Sequence, residues 1–114
     1  MPSTLFQEQV AFLQDVPKLL NFLWKAGFQI TGGELLRTPE QQQIYVQTGK
    51  SKTLVSNHLV KCAIDLNCFK SGRLATFAEL EPTGKFWESL NPKNRWGGYF
   101  KSLVDTPHFE RNIS

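Results

Sequence analysis

Two histidines and two aspartates are the residues of this chain whose types and spacing could do chemistry. His58 stands in Ser56-Asn-His58, Asp65 follows seven positions later, and His108 closes Asp105-Thr-Pro-His108 near the C-terminus. If the fold joins these segments, His58, Asp65 and His108 offer two imidazoles and one carboxylate. Those are donors for a catalytic zinc, which takes three protein ligands and keeps one position for water. The interval from His58 to Asp65 is too long for one helical face but suits a loop residue followed by an adjoining strand. Asp105 is spaced to serve as the base that a hydrolytic zinc site needs near its attacking water, with Thr106-Pro107 stiffening its link to His108. Residue types alone leave plainer readings open. A histidine is more often an ordinary surface or core residue than a ligand, and an aspartate ahead of proline often starts a turn.

Two further groups belong to this chemistry. The Arg37 guanidinium could bind a substrate carboxylate through two hydrogen bonds, or simply be solvated. Ser56 could hydrogen-bond a ligand or a neighbouring group, or merely close its loop. No nucleophile elbow surrounds it, so it is not read as a nucleophile.

The elements that must position these groups follow from the hydropathy pattern. Ser3 is the expected N-cap of a first helix, with Phe6, Val10, Leu13, Val16, Leu20 and Leu23 as its core stripe and Trp24 in the core as well. Pro17 either kinks this helix or opens a second one behind an Asp15 cap. Gly27 is the expected C-cap. Residues 28–31 alternate as a short strand running into Gly32-Gly33. Thr38 caps and Pro39 opens a helix that carries Ile44-Tyr45 and stops at Gly49, and residues 50–55 form a loop.

Residues 61–69 alternate as a strand, with Cys62, Ile64, Leu66 and Cys68 on one face and Lys61, Ala63 and Asp65 on the other. The first face is apolar, so both cysteines belong to the core. That argues against a Cys₂His₂ metal site, whose thiolates would have to face the histidines. Lys70-Ser-Gly72 turns into Arg73-Leu-Ala75 as a hairpin. Residues 77–80 are ambiguous, 85–90 make a short helix closed by Asn91-Pro92, and 94–98 are turn-rich, with an extended segment following towards Phe109. The fold class is α+β, with N-terminal helices packed on a small antiparallel sheet.

A chain of 114 residues can bury one core without a disulfide or metal staple, so residues 1–114 are expected to form a single domain. The net charge of +3 and pI near 9.0 mildly favour polyanionic surroundings. The basic residues are scattered, however, and no nucleic-acid partner is expected. Two cysteines are too few for a disulfide framework. No stretch approaches the ~20 apolar residues of a membrane span, and the N-terminus lacks the basic region and apolar run of a signal peptide. The expectation is cytoplasmic synthesis, no stable membrane insertion and a monomer.

Taken together, Ser56-x-His58, Ala63-x-Asp65 and Asp105-x-x-His108 resemble the motif set of the M15 zinc peptidases. Arg37-Thr-Pro-Glu-Gln41, Ile64-Asp-Leu-Asn67, Asn94-Arg-Trp-Gly-Gly98 and Pro107-His-Phe-Glu110 extend the resemblance over roughly residues 27–111. It implies a Hedgehog/DD-peptidase-like fold with the metal at one edge of the sheet. It also implies zinc held by His58, Asp65 and His108, Asp105 as general base, and Arg37 binding and polarising substrate. Trp96 and Tyr99 would line the substrate cleft or serve as packing. Many members have glycine where Lys61 stands and an acidic residue where Tyr99 stands, departures that bear on substrate preference. The implied activity is hydrolysis of peptidoglycan stem peptides, with L-alanyl-D-glutamate endopeptidase favoured over D-alanyl-D-alanine carboxypeptidase. Such an enzyme would suit a phage or prophage endolysin that acts on the cell wall after release by other proteins. The alternative from another class is a non-catalytic wall-binding module with the same fold.

Overall fold

The computed structural model describes residues 4–33, 39–47 and 61–113. Helix α1 (Leu5–Lys25) is followed by β1 (Gln29–Gly32), α2 (Pro39–Gln47), β2 (Ala63–Lys70), β3 (Arg73–Leu74), α3 (Phe77–Leu90), β4 (Asn94–Trp96), a 3₁₀ turn (Gly97–Tyr99) and β5 (His108–Arg111). The strands form one antiparallel sheet ordered β1-β2-β5-β4, with β3 paired to β2. The α+β class is as expected, except that the longest helix after α1 lies between strands rather than ahead of the sheet.

Helix α1 begins one residue later than the Ser3 cap would place it. The Thr4 hydroxyl accepts from the Gln7 N–H while the Gln7 side chain accepts from the Thr4 N–H, a reciprocal capping box. At the other end, Gly27 at φ +92° lets the Gly27 and Phe28 N–H groups reach the Trp24 and Leu23 carbonyls, a Schellman stop. Pro17 starts no second helix. It lies in mid-helix on the solvent face, where water can take up the Leu13 carbonyl that loses its partner.

The expected core stripe of α1 is corrected by the structure. Phe6, Val10 and Leu13 are exposed, as is Trp24, whereas Glu8, Phe12, Asp15, Val16, Leu19 and Leu23 are buried. The true face carries two carboxylates, which made it look polar. Both are tolerated because they are paired. Glu8 takes Arg111 Nε at 2.9 Å and Lys93 Nζ at 3.1 Å, and Asp15 accepts from Asn94 Nδ2 at 3.1 Å.

Residues 77–90 form one helix, not an ambiguous segment plus a short helix. Thr76 caps it in a second capping box with Glu79, and Arg73 grips the Glu79 carboxylate with two hydrogen bonds. Pro82 again sits on the exposed side, so the sequence break is not a structural one. The hairpin expected at residues 70–75 forms, with Ser71 and Gly72 both at positive φ (54° and 76°) between paired Lys70 and Arg73. Two consecutive residues of that conformation are what a two-residue hairpin loop needs. The supposedly turn-rich 94–98 stretch begins as a strand because Asn94 and Trp96 both point inward.

The core lies between one face of the sheet and helices α1 and α3. Phe12 meets Trp87 edge to face, Trp87 meets Phe109 in the same way, and Leu66, Cys68, Trp96 and Phe109 complete it from the strands. Both cysteines are buried and free, and burial pushes their thiols up, Cys68 to about 11. They are core residues, as the alternation required.

The corrected face of α1 makes a direct prediction. Phe12→Ala should cost roughly 3–5 kcal/mol, while Phe6→Ala should change stability by no more than about 0.5 kcal/mol. Urea denaturation of the two variants checks it, and equal losses would restore the original stripe.

Candidate metal centre

The period of two along β2 and β5 divides core from chemistry. Ile64 pairs with Phe109, and Phe109 with Trp96, forming an apolar row on the helix side. One step along each strand, Asp65 pairs with His108, and Glu110 lies between Ala63 and Arg95. These residues therefore share the opposite face. Asp65 and His108 thus lie on the two central strands rather than at a lateral edge of the sheet.

Asp65 occupies mid-strand with a neighbour on either side. Its carbonyl accepts from the Gly33 N–H at 2.8 Å, and the next N–H, of Leu66, donates to the Pro107 carbonyl at 2.9 Å. A Cβ on Gly33 would come within 2.9 Å of the Asp65 Cβ, so the last residue before the undescribed 34–38 segment must stay small.

Asp105 and His108 belong to one turn, closed by the His108 N–H donating to the Asp105 carbonyl at 3.1 Å. The Trp-Gly-Gly motif holds this turn in place. Trp96 Nε1 donates to the Thr106 carbonyl at 2.9 Å, and the Gly97 carbonyl accepts from the Asp105 N–H at 2.9 Å. A Cβ on Gly97 would fall 2.1 Å from the Asp105 carbonyl oxygen and 2.8 Å from the His108 Cβ. Trp96 itself is fully buried, with Gly84 and Gly98 against its ring. It is packing, and its place at the substrate cleft is corrected: the indole reaches the site only by positioning the turn.

These supports bring Asp65, Asp105 and His108 together, with one donor atom from each all within 4.8 Å of one another. His108 Nδ1 is 3.4 Å from Asp65 Oδ1 and 4.0 Å from Asp105 Oδ2. Two ligands at about 2.0–2.1 Å from a tetrahedral zinc stand roughly 3.3–3.4 Å apart. The Asp65–His108 pair has that separation, while Asp105 lies farther out. The His108 ring is buried, Asp65 is a quarter exposed and Asp105 nearly half.

The other ring nitrogen, Nε2, is 2.7 Å from Glu110 Oε1, and Arg95 Nε donates to Glu110 Oε2 at 2.9 Å. Burial alone would depress the His108 pKa. Hydrogen bonds and charge from Asp65 and Glu110 outweigh it and hold the pKa up at about 9. Burial likewise pushes the Glu110 carboxyl up, and His108 and Arg95 overcome that and bring it below its usual range. The surroundings of Nδ1 thus favour positive charge, and an imidazole nitrogen flanked by carboxylate oxygens is a donor set that a divalent cation of the zinc type fits.

His58, Ser56 and Arg37 lie outside the described residues. Glu110, Gly33 and Gly97 stand in stretches singled out from the sequence but were given no role there. The signal for Glu110 was available, since a strand residue two positions from His108 must share its face.

Comparison with known proteins gives three findings. A profile of M15 peptidases, described as D-alanyl-D-alanine carboxypeptidase, matches residues 49–111. An L-alanyl-D-glutamate peptidase from Listeria phage A118 is 33% identical over 97 residues, which are 83% of this chain and 34% of that protein. The chain thus spans about a third of the length of this relative. The crystal structure of the Serratia marcescens L-Ala D-Glu endopeptidase ChiX shares the fold. Its TM-score is 0.66 at 24% identity, covering 88% of this chain and 80% of that one.

The glycine contacts carry a paired test. Gly97→Ala should destabilise the protein by roughly 1–3 kcal/mol, because a backbone oxygen cannot swing aside. Gly32→Ala, with nothing within 4 Å of its added carbon, should stay within about 0.5 kcal/mol of the parent. Thermal denaturation of both is the measurement, and a silent Gly97→Ala would refute the seating.

Proposed function

This chain belongs to the M15 peptidases, and from that premise we propose that it is a zinc-dependent peptidase cleaving peptidoglycan stem peptides at the L-alanyl-D-glutamate bond. The observation that carries the reading is the meeting of Asp65, Asp105 and His108, whose donor atoms lie within 4.8 Å of one another. Within the sequence, His58 is the proposed third ligand beside Asp65 and His108.

Zinc at these residues would polarise the scissile carbonyl and make water a nucleophile near neutral pH. The chain's own groups do the rest. Asp65 and His108 hold the cation at fixed backbone positions on paired strands. Asp105, the most exposed of the three, takes the proton of the attacking water and returns it to the leaving amine. Its separation from His108 Nδ1, wider than that of Asp65, supports a base beside the ligands in preference to a further ligand. Arg37 is assigned to bind and polarise the substrate, and Ser56 to hydrogen-bond near the ligand set.

The choice of bond rests on the phage relative, whose match extends over more of the chain than the profile does. The description of that profile favours the second reading, a D-alanyl-D-alanine carboxypeptidase. No helix among the described residues is long and apolar enough to cross a membrane. The proposed site of action is the cell wall, after release from the cytoplasm, in the manner of an endolysin.

Mass analysis of muropeptides after digestion separates the readings. Free L-alanine termini on the glycan side with released D-glutamyl peptides are expected, and loss of terminal D-alanine alone would select the carboxypeptidase. Elemental analysis should find about one zinc per chain. Asp105→Ala should keep that zinc while lowering hydrolysis by about 10²–10⁴-fold, the usual contribution of a general base. An unchanged rate would remove Asp105 from the mechanism.

A further inference from the structure

We propose that Glu110, itself clamped by Arg95, is a positioning residue that fixes His108 with Nδ1 towards the metal and thereby sets zinc affinity. The inference rests on the zinc-site reading above and adds to it a pair of residues to which no role has been given.

The two ring nitrogens of His108 have different surroundings. Nδ1 faces Asp65 and Asp105, whereas Nε2 is held by Glu110 at 2.7 Å. The nitrogens of an imidazole point in diverging directions, so a carboxylate bonded to Nε2 cannot also reach a cation on Nδ1. Glu110 is therefore no ligand, and it is absent from the group of possible metal donors.

Glu110 is only 4% exposed and both of its carboxylate oxygens are used, Oε1 by His108 and Oε2 by Arg95 Nε and Nη2. That division prevents the carboxylate from turning. The guanidinium lies over the Phe100 ring, 5.5 Å from its centroid, and the same ring packs against His108 at 5.5 Å. Arg95, Glu110, Phe100 and His108 thus restrain one another around the imidazole.

The backbone of Glu110 is secured independently. Its carbonyl accepts from Trp87 Nε1 at 3.0 Å, and its strand is paired on both sides. A change confined to its side chain should therefore leave β5 in place. A carboxylate on the far nitrogen of a ligating histidine selects the tautomer and raises ligand basicity, and losing such a partner typically costs about 10–100-fold in metal affinity.

The test is a zinc titration of the full chain against a chromogenic chelator of known affinity, for the wild type, Glu110→Ala, Glu110→Gln and Arg95→Met. Circular dichroism reports folding in each. Glu110→Ala should bind zinc about 10–100-fold more weakly, Glu110→Gln should restore part of the loss, and Arg95→Met should weaken binding less than Glu110→Ala. A second readout needs no zinc. The His108 Nε2–H should appear as an exchange-protected proton in long-range ¹H–¹⁵N spectra of wild type and disappear in Glu110→Ala.

Wild-type affinity in a folded Glu110→Ala would overturn the proposal. If that variant does not fold, Glu110→Gln decides, with wild-type affinity there overturning it and weakened binding supporting it. A wild-type chain that takes up no zinc would overturn the metal reading itself, a result distinguishable from wild-type binding that is insensitive to Glu110.

Discussion

The site depends on a single strand pairing, β2 against β5, in the register that sets Asp65 opposite His108. Side chains alternate between sheet faces, so a slip of one residue would exchange every inward group for an outward one. Asp65 would turn towards the helices and Ile64 towards the chemistry. The apolar row Ile64–Phe109–Trp96 therefore does more than fill the core. Its burial against α1 and α3 holds the register that sets Asp65 directly opposite His108.

Strand β5 is fastened from both of its faces, and this gives the short element its rigidity. On the helix side, Phe109 packs on Trp87, and Arg111 reaches Glu8 of α1. On the other side, His108 and Glu110 bond to each other, and Arg95 of β4 closes the set. The Glu8–Arg111 pair joins residues 103 positions apart, so it constrains the whole fold. Removing one member of such a buried pair leaves an uncompensated charge, which is far costlier than the pair is worth. The glycines act in the complementary way. Gly33 lies beside Asp65 and Gly97 beside the Asp105–His108 turn, and each admits a backbone approach that any Cβ would block. A site held to fractions of an ångström requires both attachment and close approach.

What could be read from the sequence was what local rules decide. The alternation of β2, the burial of Cys62 and Cys68, the two-residue turn at Ser71-Gly72 and the glycine stop of α1 each follow from a few neighbouring residues. The face of α1 was misread because Glu8 and Asp15 are buried by partners far along the chain, Arg111, Lys93 and Asn94, which no helical period reveals. The role of Trp96, cleft or packing, stayed open for a related reason. Its aromatic type fits both roles, and only the small residues around it, Gly84 and Gly98, show that its ring is enclosed. Of the expected site, Asp65, His108 and Asp105 lie close together, which spacing alone did not require, while Arg37, Ser56 and His58 fall in segments outside the described residues. Glu110 was legible in principle, because His108 and a strand together imply it.

The burial order across the site also bears on its chemistry. The His108 side chain is 7% exposed, Asp65 26% and Asp105 44%, so the local environment grades from protein interior to solvent across a few ångströms. Coulombic interaction strengthens as water is excluded, which makes the deep end the place to fix a cation and the shallow end a poor one. A base has the opposite requirement. It must meet an incoming water and give its proton up again, and a carboxylate locked into buried ion pairs does neither easily. Under the proposed mechanism Glu110, fully engaged with His108 and Arg95, holds an orientation, and Asp105 exchanges a proton. Three carboxylates surround one imidazole at different depths, and the exposure of Asp105 follows from where the 105–108 turn leaves the sheet.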